Sequence, residues 1–418
     1  MKRRFNMNKK FIRLFAVGHL VTDIYQGALP AMLPFLISEK NLSYAAAAFL
    51  IFAANASSSI IQPLFGIYAD KISLPWALGT GVLLGGIGIG VSGVTSSYNM
   101  IFALVALSGV GIALYHPEGA RLTNKFSGKN KTTAVSKFAA GGNIGFAVGP
   151  IITTVILSIL GLKGTIVLCI PAIIMGLILL YEARYFSKNE NELVNERDCI
   201  RNKGEVKADQ WGAFGRLTLT LLCRSTVFFG LNTFLALYFV HVLNQSEVHG
   251  SIALSTLIVV GAVGTLFSGK LADKVGNKKV IIVGYSCLVP LLICFLSIKN
   301  PIIVTIILIP LGFFLYMPYS PMIALGQKYL PNHVGLASGV TMGLGVTMGG
   351  VVSPILGWVS DNYGIHTALC TLMVMPVFAV ILARKLPVYN EDIENDEIQK
   401  DVQSNTKKLS NKSLNLQK

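Results

Sequence analysis

The feature that most limits what this chain can fold into is its succession of long apolar runs. Twelve can be marked, near residues 14–37, 44–68, 75–95, 99–117, 137–160, 164–183, 217–241, 250–269, 279–298, 301–326, 334–357 and 365–385. A helix rises about 1.5 Å per residue, so about 20 residues cross a hydrocarbon core about 30 Å thick. A segment in lipid must satisfy its backbone hydrogen bonds internally, which favours helices for runs of this length. The expectation is an all-α polytopic membrane protein with twelve transmembrane helices, short loops making neighbours antiparallel. Charged residues make up only 13% of the 418, against about 25% in soluble domains.

The formal net charge of +15 would suggest nucleic acid in a soluble protein. Here the cations sit in loops. With the N-terminus in the cytoplasm, all but four of the 35 Lys and Arg residues fall on cytoplasmic segments, as the positive-inside rule requires. Lys40, Lys163 and Lys299 fall outside, and Arg224 lies within a span. The charge therefore sets orientation, in a cytoplasmic (plasma or inner) membrane with both termini in the cytoplasm, and no nucleic-acid partner is implied. The opening MKRRFNMNKK resembles the start of a signal peptide. The span after it is too long and too polar, and no A-x-A-like site follows, so it reads as an uncleaved first helix. The six cysteines form no C-x-x-C pair and read as free thiols without a metal or redox role.

A polar, mixed-charge stretch divides the spans six and six. The expected organisation is a bundle over 1–185, a cytoplasmic linker over 186–212, a second bundle over 213–386 and a disordered tail over 387–418. The halves echo each other. GIYADK at Gly66–Lys71 matches GKLADK at Gly269–Lys274, LYHP around Tyr115–Pro117 matches LYMP around Tyr316–Pro318, and the run holding Pro150 matches the run holding Pro354. Offsets of 201 to 204 residues place each pair on equivalent spans. Two six-helix bundles related by an axis along the membrane normal are the build of major facilitator transporters.

The stretch from Gly269 through Asp273, Lys274 and Gly276 to Lys279 fits the loop signature of that superfamily, G-x-x-x-D-[RK]-x-G-x-[RK]-[RK]. Gly lets helices approach closely, and the Asp can meet the N-terminus of a neighbouring helix. The alternative is a plain charged turn. The first-half copy keeps Gly66, Asp70 and Lys71 but continues ISLPWAL in place of Gly and a basic pair. In span five, Gly145-x-x-x-Gly149-Pro150 resembles the span-five motif of major facilitator antiporters. Glycines four apart make a flat face, and proline removes a backbone donor and bends a helix. Ordinary small-residue packing is the alternative.

Polar groups inside the membrane are costly and mark function by default. His19, Asp23, Gln26 and Pro30 follow spacings of four, three and four and share one helical face. Asp23, with His19 one turn away, is the candidate proton carrier. A structural hydrogen-bonded pair is the other reading. Arg224 would neutralise Asp23, bind an anionic substrate or snorkel to the interface. His116 and Glu118, beside Pro117 and Arg121, read as gating or binding groups at the end of span four, or as a capped helix end. Gln26, Asn143, His116, Glu118 and Arg224 are the substrate-binding candidates. Gly264-x-x-x-x-Gly269-Lys270 approaches a P-loop, but Leu271 stands where Ser or Thr would hold Mg²⁺ and no strand precedes it. No cofactor and no metal-spaced cluster is expected.

The strings GHLVTDIYQGALPAMLPFL, the Gln62–Trp76 run, LYHPEGARL and GGNIGFAVGPII together resemble the fosmidomycin resistance branch of the major facilitator superfamily. The resemblance implies a monomeric inner-membrane exporter, not an enzyme, moving a small molecule against protons. It also makes the Gln62–Trp76 variant of the loop signature the branch's own. Fosmidomycin is a small phosphonate anion, which suits cations such as Arg224 and His116. The expected function is a proton-coupled antiporter for a small anion working by alternating access. Asp70 and Asp273 would stabilise one state, while Gly145, Gly149, Pro150 and Pro354 shape the helices that rock. The rivals are an uptake symporter on the same fold and, remotely, a membrane-embedded enzyme using His116 and Glu118.

Overall fold

The computed structural model describes residues 8–42, 44–201 and 208–388. The chain runs α1 (Lys9–Lys40), α2 (Tyr44–Lys71), α3 (Trp76–Ser92), α4 (Tyr98–Phe126) and α5 (Lys131–Leu160), then a 3₁₀ segment (Leu162–Leu168) leads into α6 (Cys169–Arg201). Next come α7 (Trp211–His241), α8 (Glu247–Val275), α9 (Asn277–Ser297), α10 (Pro301–Tyr316) with α11 (Tyr319–Tyr329), α12 (Val334–Tyr363), and α13 (Ile365–Thr371) with α14 (Val374–Arg384). Counting α10–α11 and α13–α14 as one span each, the twelve expected spans are present.

Local chemistry sets the ends. Asn8 caps α1 by accepting from the Phe11 N–H, and Asn300 caps α10 by accepting from Ile302 and Ile303, with Pro301 in the first turn where its missing donor costs nothing. Gly276 closes α8 at φ 92°, a left-handed conformation that a side chain would strain. The tenth span breaks at Pro318, where α11 restarts.

Among the described residues nine helical segments are long and apolar enough to cross a membrane; α3 is a shorter apolar helix, and α12 begins with an apolar stretch, Val334–Gly345. Large apolar side chains cover the outside, and ionisable groups lie buried inside among apolar ones. Ile159 and Ile302 are 74% and 70% exposed, while His19, Asp23, His116, Glu118, Arg121 and Arg224 are buried. That reverses the soluble pattern and fits an exterior solvated by lipid.

Two boundaries differ from the expectation. Pro117 does not end span four: α4 passes through it and continues to Phe126. Proline removes one helical hydrogen bond, but buried neighbours on both sides hold the remaining turns. α6 carries its helical backbone to Arg201, past the expected start of the linker at 186. The expected disordered tail lies, from residue 389, outside the described residues. Within the membrane region, α1 packs along α5, and the halves meet where α5 packs on α8 and α2 on α12.

Candidate functional site

The centre of the first half is built on three helices. α1 supplies His19 and Asp23, α4 supplies His116, and α5 covers them. The Asp23 carboxylate lies between both imidazoles: His116 Nε2 is 2.9 Å from Oδ1 and His19 Nε2 is 3.3 Å from Oδ2. All three residues are buried. The two imidazole rings sit edge to face at 4.8 Å, and the Phe138 ring stacks on His19 at 4.2 Å.

The tautomer of His19 follows from its other nitrogen. Nδ1 lies 2.7 Å from the Phe138 carbonyl oxygen, which can only accept, so Nδ1 carries a proton. Nε2 therefore faces Asp23 with a lone pair unless a second proton is present. An ionised carboxylate against that lone pair is repulsive, so the contact calls for a proton shared between ring and carboxylate. His116 donates from Nε2 to the other carboxylate oxygen.

α5 reaches this site because it has no side chains in the way. A Cβ at Gly141, Gly145 or Gly149 would collide with the carbonyl oxygen of Ala16, Leu20 or Ile24. These are successive turns of both helices, so the stripe is the flat face expected of glycines four apart. A Cβ at Gly142 would come within 2.5 Å of His19 Nε2 and 2.6 Å of Asp23 Oδ2.

In the second half, Arg224 is buried and its guanidinium lies over the rings of Tyr319 (4.3 Å), Phe228 (4.9 Å) and Tyr316 (5.5 Å). Its Nε donates weakly to the Leu315 carbonyl at 3.4 Å. It does not snorkel, since burial keeps it from the interface, and it does not pair with Asp23. Among the described residues no carboxylate lies within ion-pairing distance of it. Tyr319 packs against a buried cluster that holds residues of both halves, Ile323, Ala324 and Met342 included.

The remaining candidates separate. Glu118 is committed to Arg121 through two 2.6 Å hydrogen bonds, and Arg121 also donates to Ser73 Oγ at 3.2 Å. The helix does not end here, so neither the capped-end reading nor an open binding carboxylate describes Glu118. Asn143 donates to Thr265 Oγ1 across the α5–α8 contact at 3.2 Å. Gln26 is half-buried on the His19–Asp23 face.

At the ends of α2 and α8 the loop signatures make matching contacts. Asp273 accepts the backbone N–H of Thr132 at 3.0 Å and of Thr133 at 2.8 Å, in the first turn of α5. Asp70 accepts those of Gly335 and, at 2.9 Å, Leu336, in the first turn of α12. Each carboxylate satisfies orphan donors at the positive end of a helix in the other half. Glycine again allows the approach: a Cβ on Gly66 would strike the Gly335 carbonyl, and one on Gly269 the Ser136 side chain. Gln327 ties α4 to α12, accepting from Asn124 Nδ2 at 2.7 Å and donating to Ser338 Oγ at 2.8 Å.

One expectation is corrected. No metal-spaced cluster was visible along the chain, yet ligand atoms of His19, Asp23 and His116 all lie within 4.8 Å of one another. His116 is 93 residues from Asp23, so only the crossing of α1 and α4 joins them. Sequence reasoning also missed Thr132, Thr133, Phe138, Gly335, Leu336 and Gln327. Four of these act through backbone N–H groups and Phe138 through its carbonyl, which residue type does not advertise.

Twelve spans with an apolar exterior, a buried charge centre and two halves clamped by equivalent carboxylates define a polytopic membrane transporter. The chain belongs to the Major Facilitator Superfamily, which it matches over residues 15–354. It is 28% identical to the MFS-type transporter YfnC of Bacillus subtilis (strain 168), over 90% of this chain and 92% of that one. It is 26% identical to the fosmidomycin resistance protein of Escherichia coli (strain K12), over 88% and 90%. Among solved structures, the MFS transporter FucP in the outward conformation superposes with a TM-score of 0.71 at 16% identity, covering 91% of this chain and 99% of that one.

Proposed function

We propose that this transporter is a proton-coupled antiporter that exports a small anionic compound from the cytoplasm by alternating access, as a single chain in the cytoplasmic membrane. The observation that carries the reading is the His19–Asp23–His116 centre. A carboxylate held between two imidazoles, one of them fixed by the Phe138 carbonyl, takes a proton to relieve its own internal repulsion. Burial disfavours an isolated charge, and a neighbouring imidazolium offsets that, so the centre holds or releases protons as its access to water changes.

The halves over 1–185 and 213–386 are the moving bodies in this reading. Asp70 and Asp273 hold them together on the face that the positive-inside rule assigns to the cytoplasm. The arrangement is then the outward-facing one, in line with the FucP likeness. The stripe of Gly145, Gly149 and Pro150 couples α5 to α1, and Pro354 occupies the equivalent place in α12. Arg224, a buried cation faced by rings, supplies the attraction for an anion, and the fosmidomycin resistance relative suggests a phosphonate.

The test is fosmidomycin accumulation in sensitive bacterial cells with and without the protein, with Asp23→Asn as control. Lower accumulation that returns to the level of cells lacking the protein in the mutant supports the reading. Equal accumulation, with the protein in the membrane, removes the substrate. Higher accumulation with the wild-type protein makes it an uptake system.

A further inference from the structure

We propose that His19, Asp23 and His116 form a binding site for one divalent transition-metal cation of the Zn²⁺ type. The three ligand atoms converge already. A tetrahedral Zn²⁺ with bonds of about 2.0–2.2 Å sets its ligand atoms about 3.3 Å apart. The carboxylate oxygens stand 2.9 and 3.3 Å from the two Nε2 atoms, and all three residues offer an atom within 4.8 Å of the others. Small side-chain rotations bring them to a common centre.

One further observation points to a ligand there, the outer partner of His19. A metal-bound imidazole characteristically donates its other N–H to a carbonyl or carboxylate, which orients the ring and strengthens the donor. His19 Nδ1 does this with the Phe138 carbonyl at 2.7 Å.

The donor set selects the ion. Two neutral imidazoles and one carboxylate suit Zn²⁺, Co²⁺ or Ni²⁺. Ca²⁺ and Mg²⁺ demand several oxygen ligands that the centre does not supply. A bound ion ties α1 to α4 and occupies the groups assigned to the proton. It therefore inhibits transport, a consequence that rests on the proton-coupled reading, whereas the site itself rests on ligand geometry alone.

The experiment uses the purified full-length protein in detergent, titrated with Co²⁺ alone and followed by visible absorption. The expected result is one saturable set of d–d bands per chain, displaced by Zn²⁺, with affinity at least about tenfold weaker in His116→Gln. His116→Cys adds a sulfur-to-metal charge-transfer band, a signature that surface histidines cannot produce. Folded wild-type protein without such bands, or bands unchanged in both variants, overturns the site. Transport is then measured in proteoliposomes with a chelator and with added Zn²⁺. Proton-coupled transport without variant-sensitive Co²⁺ bands removes the metal site and leaves the transport reading standing. Variant-sensitive bands without proton coupling support the site and remove the transport reading instead.

Discussion

The Asp273 carboxylate accepts the Thr133 backbone N–H at 2.8 Å, joining the end of α8 to the start of α5, and 203 residues earlier in the chain Asp70 does the same for Leu336 at 2.9 Å. Two carboxylates on equivalent helices thus cap two equivalent helices of the opposite half. A cap of this kind contributes about 0.5–2 kcal/mol, and the attraction of a carboxylate to a helix N-terminus adds to it in partly buried geometry. Asp70→Ala and Asp273→Ala should each shift the balance away from the closed cytoplasmic side by about 2- to 30-fold, and the double mutant by more. Labelling of a cysteine placed in the cytoplasmic half of the cavity reads this directly. Unchanged labelling in the double mutant would show that the contacts carry no conformational energy.

The same symmetry explains how much was legible beforehand. The twelve apolar runs and the repeated Gly and Asp-Lys elements mark the architecture because lipid and close helix crossings leave few alternatives. The weakened first-half signature nevertheless makes the full contact. Asp70 needs only a carboxylate and a neighbouring helix N-terminus, so losing the Gly and basic pair after Lys71 does not remove it. The alternatives for Arg224 stay open in the sequence because its burial depends on Phe228, Tyr316 and Tyr319, two of which arrive from the tenth span. The meeting of His116 with Asp23 is a product of the α1–α4 crossing, and spacing along either helix holds no trace of it.

The α1–α5 crossing makes a sharp prediction about glycine. Gly145→Ala drives a methyl into the Leu20 carbonyl, and overpacking of this kind typically costs about 1–3 kcal/mol. A fall in the melting temperature of the detergent-solubilised protein is expected. Gly215→Ala and Gly357→Ala, where nothing lies within 4 Å of the new methyl, should leave it level or slightly raised, since alanine is the better helix former. Equal melting of all three variants would mean that α5 does not press on α1 as described.

The proton centre is tested most cleanly through its charge. Asp23→Asn preserves shape and hydrogen-bonding capacity but cannot cycle between ionised and neutral forms. It should fold, reach the membrane and bind substrate, while substrate-driven proton movement in proteoliposomes falls to background. His116→Gln keeps a donor near Asp23 and should retain part of that movement. Proton movement at wild-type level in Asp23→Asn would place the coupling group elsewhere.

Arg224 decides whether the substrate is an anion. Its guanidinium lies over the Tyr319 ring at 4.3 Å, a contact that the compact ammonium of lysine does not reproduce. Charge-assisted hydrogen bonds to an anion contribute about 1.5–3 kcal/mol, so Arg224→Gln should raise KM for a phosphonate by about 10- to 150-fold. Arg224→Lys should fall between the two, keeping the charge while losing the fork of donors. The comparison is made by initial rates of phosphonate transport in everted vesicles across substrate concentrations. If Arg224→Gln lowers the maximal rate and leaves KM unchanged, the guanidinium serves the packing of α7 against the tenth span, and the anion must be held by other groups in the cavity.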